Sequence, residues 1–198
     1  MTAALRLATA ADAPAVRAIY APYVEGTSVT FERTPPSAEE VAERIEGKLE
    51  RYPWLVCERD GEVVGYAYAG PVRSRAAYRW STESSVYVRE DAKREGVAGA
   101  LYSALFALLA GQGYCGVYAA VTLPNPASVA FHEATGFERI GVWEAVGFKH
   151  GAWHDVGWFR RPLGERPAEP DPPLSVAAAR EHEWWDEALR TGEAELRR

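Results

Sequence analysis

The sequence predicts a mixed α/β domain whose early strands are antiparallel and whose middle is a strand–helix–strand unit. Short apolar runs alternate with longer helical patterns through residues 5–160. Two of these runs flank Asp60-Gly61, the strongest short signal for a hairpin. A strongly apolar helical pattern at 98–112 lies between two strand-like segments, which predicts the central unit.

Composition narrows the class of protein. The chain has 198 residues, a length that can bury a core without disulfides or metal. Its 22 Lys and Arg against 28 Asp and Glu give a net charge of -6, which argues against a general nucleic-acid binder. No apolar run approaches the roughly 18 residues of a membrane span, and residues 1–12 do not resemble a secretory signal. With two cysteines, Cys57 and Cys115, we expect a cytoplasmic protein without a disulfide framework.

Capping residues and turn signals place the elements of the first half. Thr9 caps the first helix, and Ser37 with Glu40 forms a capping box for the second. Apolar runs on both sides of the Asp60-Gly61 turn predict two paired strands. The predicted elements are a strand at 5–8, helices at 11–24 and 38–50, and strands at 54–59, 63–69 and 84–88.

The second half alternates in the same way and then changes composition. Gly113 ends the apolar helix at 98–112, because glycine favours the position after a helix. A strand at 116–123, a helix at 126–135 and strands at 138–146 and 155–160 follow. We assign 1–162 to the domain and 163–198 to a Pro-rich linker with a helical tail. One helix at 174–190 is expected to dock through Trp184 and Trp185.

A glycine-containing turn joins the strand at 84–88 to the apolar helix. Gly96, Ala98 and Gly99 keep side chains away from the helix start, so backbone amides there can approach a ligand. A helix N-terminus binds anions, and Lys93 and Arg94 add two positive charges beside it. The alternative is a tight turn with solvated charges.

Two motifs in order resemble the GNAT acetyltransferase superfamily. Lys93-x-x-Gly96-x-Ala98 is similar to its turn, Gln/Arg-x-x-Gly-x-Gly/Ala, with Lys93 in place of Gln or Arg. The second motif, at 125–137, reads NPxSxxFHExxGF in this chain. Runs such as YPWLV at 52–56 and GFKHGAWHDVG at 147–157 resemble the phosphinothricin N-acetyltransferase branch, which includes enzymes acting on methionine sulfone and methionine sulfoximine. The resemblance extends over residues 5–161.

The resemblance implies a fold and a coenzyme. The fold is the GNAT acyltransferase fold, α/β (α+β), with a central mixed, mostly antiparallel sheet flanked by helices. The turn would bind the pyrophosphate of acetyl-CoA, and the Val88 N–H would donate to the thioester oxygen. Asn125 would hold the pantetheine arm, or would simply start a helix. The implied coenzyme-binding residues are Val86, Tyr87, Val88, Lys93, Arg94, Glu95, Gly96, Val97, Ala98, Gly99, Asn125 and Ser128.

Acetyl transfer to an amine requires a base and a proton for the leaving thiolate. Glu83 matches the glutamate that acts as general base in the branch; the alternative is a strand-end carboxylate in a salt bridge. His132 stands where many GNAT enzymes have a tyrosine that protonates the thiolate, or it is a helix histidine bonded to a carbonyl. Tyr102 is a second candidate for this role, with a core aromatic as the alternative.

Substrate recognition is expected in two loops. Arg73 and Arg75 suit a carboxylate or phosphinate, with Tyr78 beside them, although loop arginines are commonly solvated. Phe31 matches a pocket position of the branch, or is a hydrophobic plug.

His150 and His154 suggest a metal. The intervening Gly151 argues against a helix and no third ligand cluster accompanies them, so we expect no metal site.

The implied activity is direct transfer of acetyl from acetyl-CoA to the α-amine of phosphinothricin or a related small amino acid, by a homodimer. The segment around Trp153 would lie near the dimer interface. Trp184 and Trp185 of the tail would pack against that surface. Two alternatives are acetylation of a protein or peptide N-terminus and a non-catalytic module that senses acyl-CoA. Paired arginines argue mildly against the first, and retention of Glu83 argues against the second.

Overall fold

The computed structural model describes residues 3–196, and seven strands in this range form one sheet in the order β1-β2-β3-β4-β5-β7-β6. The strands are β1 (Ala3–Leu7), β2 (Trp54–Arg59), β3 (Glu62–Pro71), β4 (Ser81–Val88), β5 (Gly116–Leu123), β6 (Glu138–Lys149) and β7 (Ala152–Pro162). The helices are α1 (Ala13–Gly26), α2 (Ala38–Leu49), α3 (Val97–Gln112), α4 (Pro126–Ala134), α5 (Val176–Ala179) and α6 (Trp184–Leu196). Short 3-10 turns lie at Ala10–Asp12, Ala76–Tyr78 and Glu90–Ala92. The predicted α/β class with a mostly antiparallel sheet is confirmed.

Helices cover both faces of the sheet because its central strands carry apolar side chains on both sides. α1 and α2 pack on one face, where Val16, Ile45 and Trp54 are buried. α3 packs on the other face and buries Leu101, Leu105 and other apolar residues along its whole length. A helix as apolar as α3 is stable only when surrounded by protein in this way.

Strands β4 and β5 pair for only three residues and then diverge. They are parallel, and their register runs from Ser81 opposite Gly116 to Glu83 opposite Tyr118. Beyond this point β4 continues along β3, while β5 continues along β7. A gap therefore opens in the middle of the sheet, and α3 begins beside it.

The tail differs from the single helix predicted at 174–190. It forms two helices, α5 and α6, separated by a turn at 180–183. At about 3.6 residues per turn, Val176 and Trp185 would lie on opposite faces of one straight helix. Because both residues are buried in the core cluster on the α3 side, the helix has to break between them.

The two tryptophans of the tail pack on α3 of their own chain. Trp185 is buried, and the ring of Trp184 occupies the space where a side chain on Gly111 would stand. The notion that this pair covers the surface around Trp153 is therefore wrong. Within residues 3–196, none of the helices has both the length and the apolar character needed to cross a membrane.

Replacing Gly192 with alanine tests the packing of α6 on α3. A Cβ at this position would overlap the carbonyl oxygen of Ala100, so we expect Gly192→Ala to lower the free energy of unfolding by about 1–3 kcal/mol. The matched control is Gly47→Ala in α2, where nothing lies within 4 Å of the added Cβ. That change should raise stability by about 0.5–1 kcal/mol. Urea unfolding measures both, and equal behaviour of the two variants would contradict the packing.

Candidate active site

The gap between β4 and β5 is a cleft of about 580 Å³ that passes through the sheet. On the α3 face its walls include Tyr102 and His132, and on the opposite face they include Tyr23, Thr27 and Val29. All twelve predicted coenzyme-binding residues except Glu95 line it. The side chain of Glu95 forms an ion pair with Arg59 instead.

The glycine turn presents the N-terminus of α3 to this cleft. Gly96 precedes the helix with φ of +81°, a left-handed conformation that favours glycine. Its carbonyl accepts the first helical hydrogen bond, from Ala100 N at 2.9 Å. The amides of residues 97–99 therefore have no partner within the helix, and they carry the positive end of the helix dipole.

Two positive side chains stand beside these amides. Lys93 lies 4.9 Å from the centroid of the Tyr23 ring and also bonds to Glu90. Arg94 is exposed, and its backbone has φ of +65°. The turn thus combines free amides with two cations, which is the chemistry that a pyrophosphate group requires.

The edge of β4 offers backbone groups to the cleft. Arg89 N donates to Val64 O at 2.9 Å, so the backbone N–H of Arg89 points toward β3. Because successive residues alternate in an antiparallel ladder, the N–H and C=O of Val88 point away from β3. The Val88 carbonyl accepts from Tyr23 Oη at 2.7 Å.

His132, Tyr102 and Ser84 form a connected chain at the cleft wall. The Ser128 carbonyl, which can only accept, lies 2.8 Å from His132 Nδ1, so Nδ1 carries the proton. Nε2 lies 3.5 Å from Tyr102 Oη, and Ser84 Oγ donates to the same hydroxyl at 3.3 Å. Burial lowers the pKa of His132 and raises that of Tyr102, so both groups are neutral at neutral pH.

Glu83 lies on the face of β4 that α1 and α2 cover. It stands across the ladder from Gly70 and beside Tyr118 of β5. The carboxylate is half-buried, and burial raises the pKa of Glu83 while the charges of Arg73 and Lys48 oppose that rise. On this strand Ser85 is the next residue of the same face, and it lines the cleft.

The predicted substrate residues lie in three different places. Arg73 Cζ lies 5.7 Å and 6.0 Å from the ring centroids of Trp143 and Trp158. The positive charge of Arg73 acts to lower the pKa of Glu83. Arg75 and Tyr78 are exposed on the loop that leads to β4. Phe31 packs over Gly147 of β6, in the space that a side chain there would fill.

The loop that carries Phe31 is held to β6 and β7 by several hydrogen bonds. Lys149 is 5% exposed and donates to Val24 O at 2.6 Å and Thr30 O at 2.8 Å. His154 Nε2 lies 3.1 Å from Ser28 Oγ, and His150 Nε2 lies 3.2 Å from Thr27 O. In the described range, 3–196, no three His, Cys, Asp or Glu side chains are grouped to hold a metal.

The sequence model of the Acetyltransferase (GNAT) domain matches residues 5–158, more than three quarters of the chain. The chain belongs to the GNAT acetyltransferase family. It is therefore an acyltransferase.

Curated relatives and solved structures indicate which members of the GNAT family this chain resembles. The chain is 45% identical to the phosphinothricin N-acetyltransferase of Streptomyces viridochromogenes, over 85% of this chain and 91% of the relative. It is 35% identical to an L-methionine sulfoximine/L-methionine sulfone acetyltransferase of Pseudomonas paraeruginosa, over 81% of this chain and 94% of the relative. A Sinorhizobium meliloti phosphinothricin acetyltransferase, solved with AcCoA, superposes with a TM-score of 0.83 at 39% identity and covers 90% of this chain and 99% of its own.

Several residues of this GNAT site were not predicted. Tyr23 follows the apolar spacing of α1, so its sequence context is typical of a core residue. Lys48 and Tyr68 reach the surroundings of Glu83 from α2 and β3. The positions of all three side chains follow from tertiary packing. The sequence indicates only that Tyr23 lies near the apolar face of its helix.

Lys149→Met tests how the Phe31 loop is held. The variant keeps the shape of the side chain but leaves the carbonyls of Val24 and Thr30 without their donor. We expect the free energy of unfolding to fall by about 1–3 kcal/mol in urea titrations, with faster proteolysis of the loop. The control Arg33→Met removes an exposed cation near the same strand and should stay within about 0.5 kcal/mol of wild type. Two indistinguishable variants would contradict the role of Lys149.

Proposed function

We propose that this protein transfers acetyl from acetyl-CoA directly to the α-amine of phosphinothricin or of a related small amino acid such as methionine sulfoximine or methionine sulfone. The observation that carries the proposal is the cleft through the sheet, with the α3 N-terminus on its wall and Glu83 on the face toward which it leads. The named relatives and the solved neighbour with AcCoA support it.

The coenzyme would enter from the α3 face. The amides of residues 97–99 would bind its pyrophosphate, and Lys93 and Arg94 would neutralise the remaining charge. Asn125 caps α4 through its side-chain oxygen, which accepts from Ser128 N at 3.1 Å, and it would border the pantetheine arm. The Val88 N–H points toward the cleft and would stabilise the oxyanion that forms on the thioester.

The acceptor would enter from the opposite face and place its amine near Glu83. An amine attacks only when neutral, so the carboxylate must take its proton, directly or through water. Burial raises the pKa of Glu83, which makes the carboxylate a better base than an exposed glutamate. Tyr102 and His132, which share one chain, are the two candidates for returning a proton to the thiolate.

We further propose a homodimer formed through the β6–β7 face. Ile140, Trp143, Val146, Phe148 and Trp153 expose 46–66% of their surface on these two neighbouring strands. An apolar patch of this kind typically marks a protein interface. The two free cysteines are compatible with the reducing cytoplasm, where we place the protein.

Glu83→Gln tests the general base. The amide cannot accept the proton, so we expect kcat to fall about 100-fold or more, while calorimetry shows an unchanged affinity for acetyl-CoA. A thiol-release assay with phosphinothricin, methionine sulfoximine, methionine sulfone and unmodified amino acids measures the turnover. Full activity of the variant at neutral pH would remove Glu83 from the mechanism. Binding of acetyl-CoA by the wild type without turnover of any acceptor would favour the acyl-CoA sensor.

The charge of Arg73 gives a second test through the pH profile. Arg73 lowers the pKa of Glu83, so its loss raises that pKa. The base would then stay protonated up to a higher pH. In Arg73→Gln, the acid limb of the plot of log kcat/KM against pH should therefore shift to higher pH. Arg79→Gln, which removes an exposed cation six residues further along the chain, should leave the limb in place. A limb that does not move in Arg73→Gln would show that another group controls it.

A further inference from the structure

Lys48 reaches across the sheet face toward the proposed acceptor site. It lies in the last turn of α2, and its Nζ stands 2.5 Å from the position that a Cβ on Gly70 would occupy. The same ammonium lies 5.0 Å from the centroid of the Tyr68 ring. The absence of a side chain on Gly70 therefore makes room for this cation.

The register of the sheet brings Lys48 beside Glu83. Gly70 of β3 and Glu83 of β4 are direct partners in the ladder, so their Cβ positions share one face and lie about 4.5–5.5 Å apart. An ammonium at the Gly70 position is thus a neighbour of the Glu83 side chain. In agreement with this placement, the charge of Lys48 acts on Glu83.

Lys48 differs from the other two lysines in its interactions, because its ammonium faces the Tyr68 ring and makes no hydrogen bond among the described residues. Lys93 donates to Glu90, and Lys149 donates to two backbone carbonyls. Among residues 3–196, Lys48 Nζ donates no hydrogen bond and forms no ion pair within 4.0 Å, although the side chain is half-buried. The Tyr68 ring and the nearby Glu83 carboxylate offset part of the cost of burying this ammonium, and a ligand carboxylate would supply the hydrogen bonds that it lacks.

We propose that Lys48 binds the α-carboxylate of the acceptor amino acid, an inference that rests on the proposed function. The amine and the carboxylate are attached to the same carbon, so an amine at Glu83 holds the carboxylate within a few ångströms of that side chain. Lys48 is the cation on the β3 side of Glu83. Arg73 serves the far end of the acceptor, in a pocket of about 310 Å³ that it lines with Tyr118, Trp143 and Trp158.

This arrangement explains which acceptors fit. An amino acid whose side chain ends in phosphinate or sulfone oxygens presents two groups that attract cations, one at each end. Lys48 lies on the β3 side of Glu83, and Arg73 lies on the β5 side, beside Tyr118. The amine would therefore be held between the two cations. Amines without a carboxylate would lose the contact with Lys48 and keep the contact with Arg73.

The experiment compares two acceptors that differ only in the carboxylate. L-Methionine sulfone is measured beside 3-(methylsulfonyl)propylamine, its decarboxylated counterpart, in wild type and in Lys48→Met. We expect KM for the amino acid to rise about 10- to 100-fold in the variant, the usual size of a charge-assisted hydrogen bond, while kcat/KM for the amine changes less than about threefold. Lys48→Arg should recover part of the loss, because it restores the positive charge.

Gly70→Ala provides a second variant that keeps the lysine. The new Cβ would displace the ammonium, which is the mobile end of a flexible side chain, so the fold should tolerate the change. It should raise KM for the amino acid more than for the amine. Arg51→Met, which removes an exposed cation three residues beyond Lys48, serves as the control and should match wild type.

The outcomes separate this inference from the proposed function. If the wild type acetylates methionine sulfone but both Lys48→Met and Gly70→Ala keep its preference for the amino acid over the amine, Lys48 does not bind the carboxylate. Loss of activity toward both acceptors in equal measure also overturns the inference, because it shows a general disturbance of the site. If the wild type acetylates neither acceptor and no other small amino acid, the proposed function itself fails.

Discussion

The brief pairing of β4 with β5 is the constraint on which the rest of the site depends. Three residue pairs hold the two strands together, and then each follows a different neighbour. The divergence frees the Val88 backbone edge, opens a passage between the faces of the sheet and places the start of α3 beside it. A continuous β4–β5 ladder would satisfy the same backbone groups and leave no room for a ligand.

The alternation of side chains along β4 then divides the chemistry between the two faces. Ser84 points toward Tyr102 on the α3 face, whereas Glu83 and Ser85 point toward the face of α1 and α2. One strand can thus hold the proposed base, Glu83, on the face proposed for the acceptor, and also contribute Ser84 to the Tyr102–His132 chain on the face proposed for the coenzyme. The cleft joins the two because its lining comes from both faces.

Local features were predictable from the sequence, and contacts distant in the chain were not. The Ser37–Glu40 capping box is present, and Asp60 and Gly61 adopt the positive φ values of a hairpin turn. The residues of the glycine turn lie together because they are contiguous. The position of Lys48 depends on the packing of α2 over β3 and on the absence of a side chain at Gly70, two features that no local pattern connects.

The glycines of the turn also show how one motif can have several physical causes. Gly96 is required by its own backbone, which has φ of +81°. At Gly99 an added Cβ would stand 3.2 Å from Glu195 Oε2, because α6 ends against the first turn of α3. The tail lies beyond the matched family region, which ends at residue 158. In this chain a small residue at position 99 therefore leaves space for the tail and also lines the cleft, whereas glycine at position 96 is favoured by the backbone conformation alone.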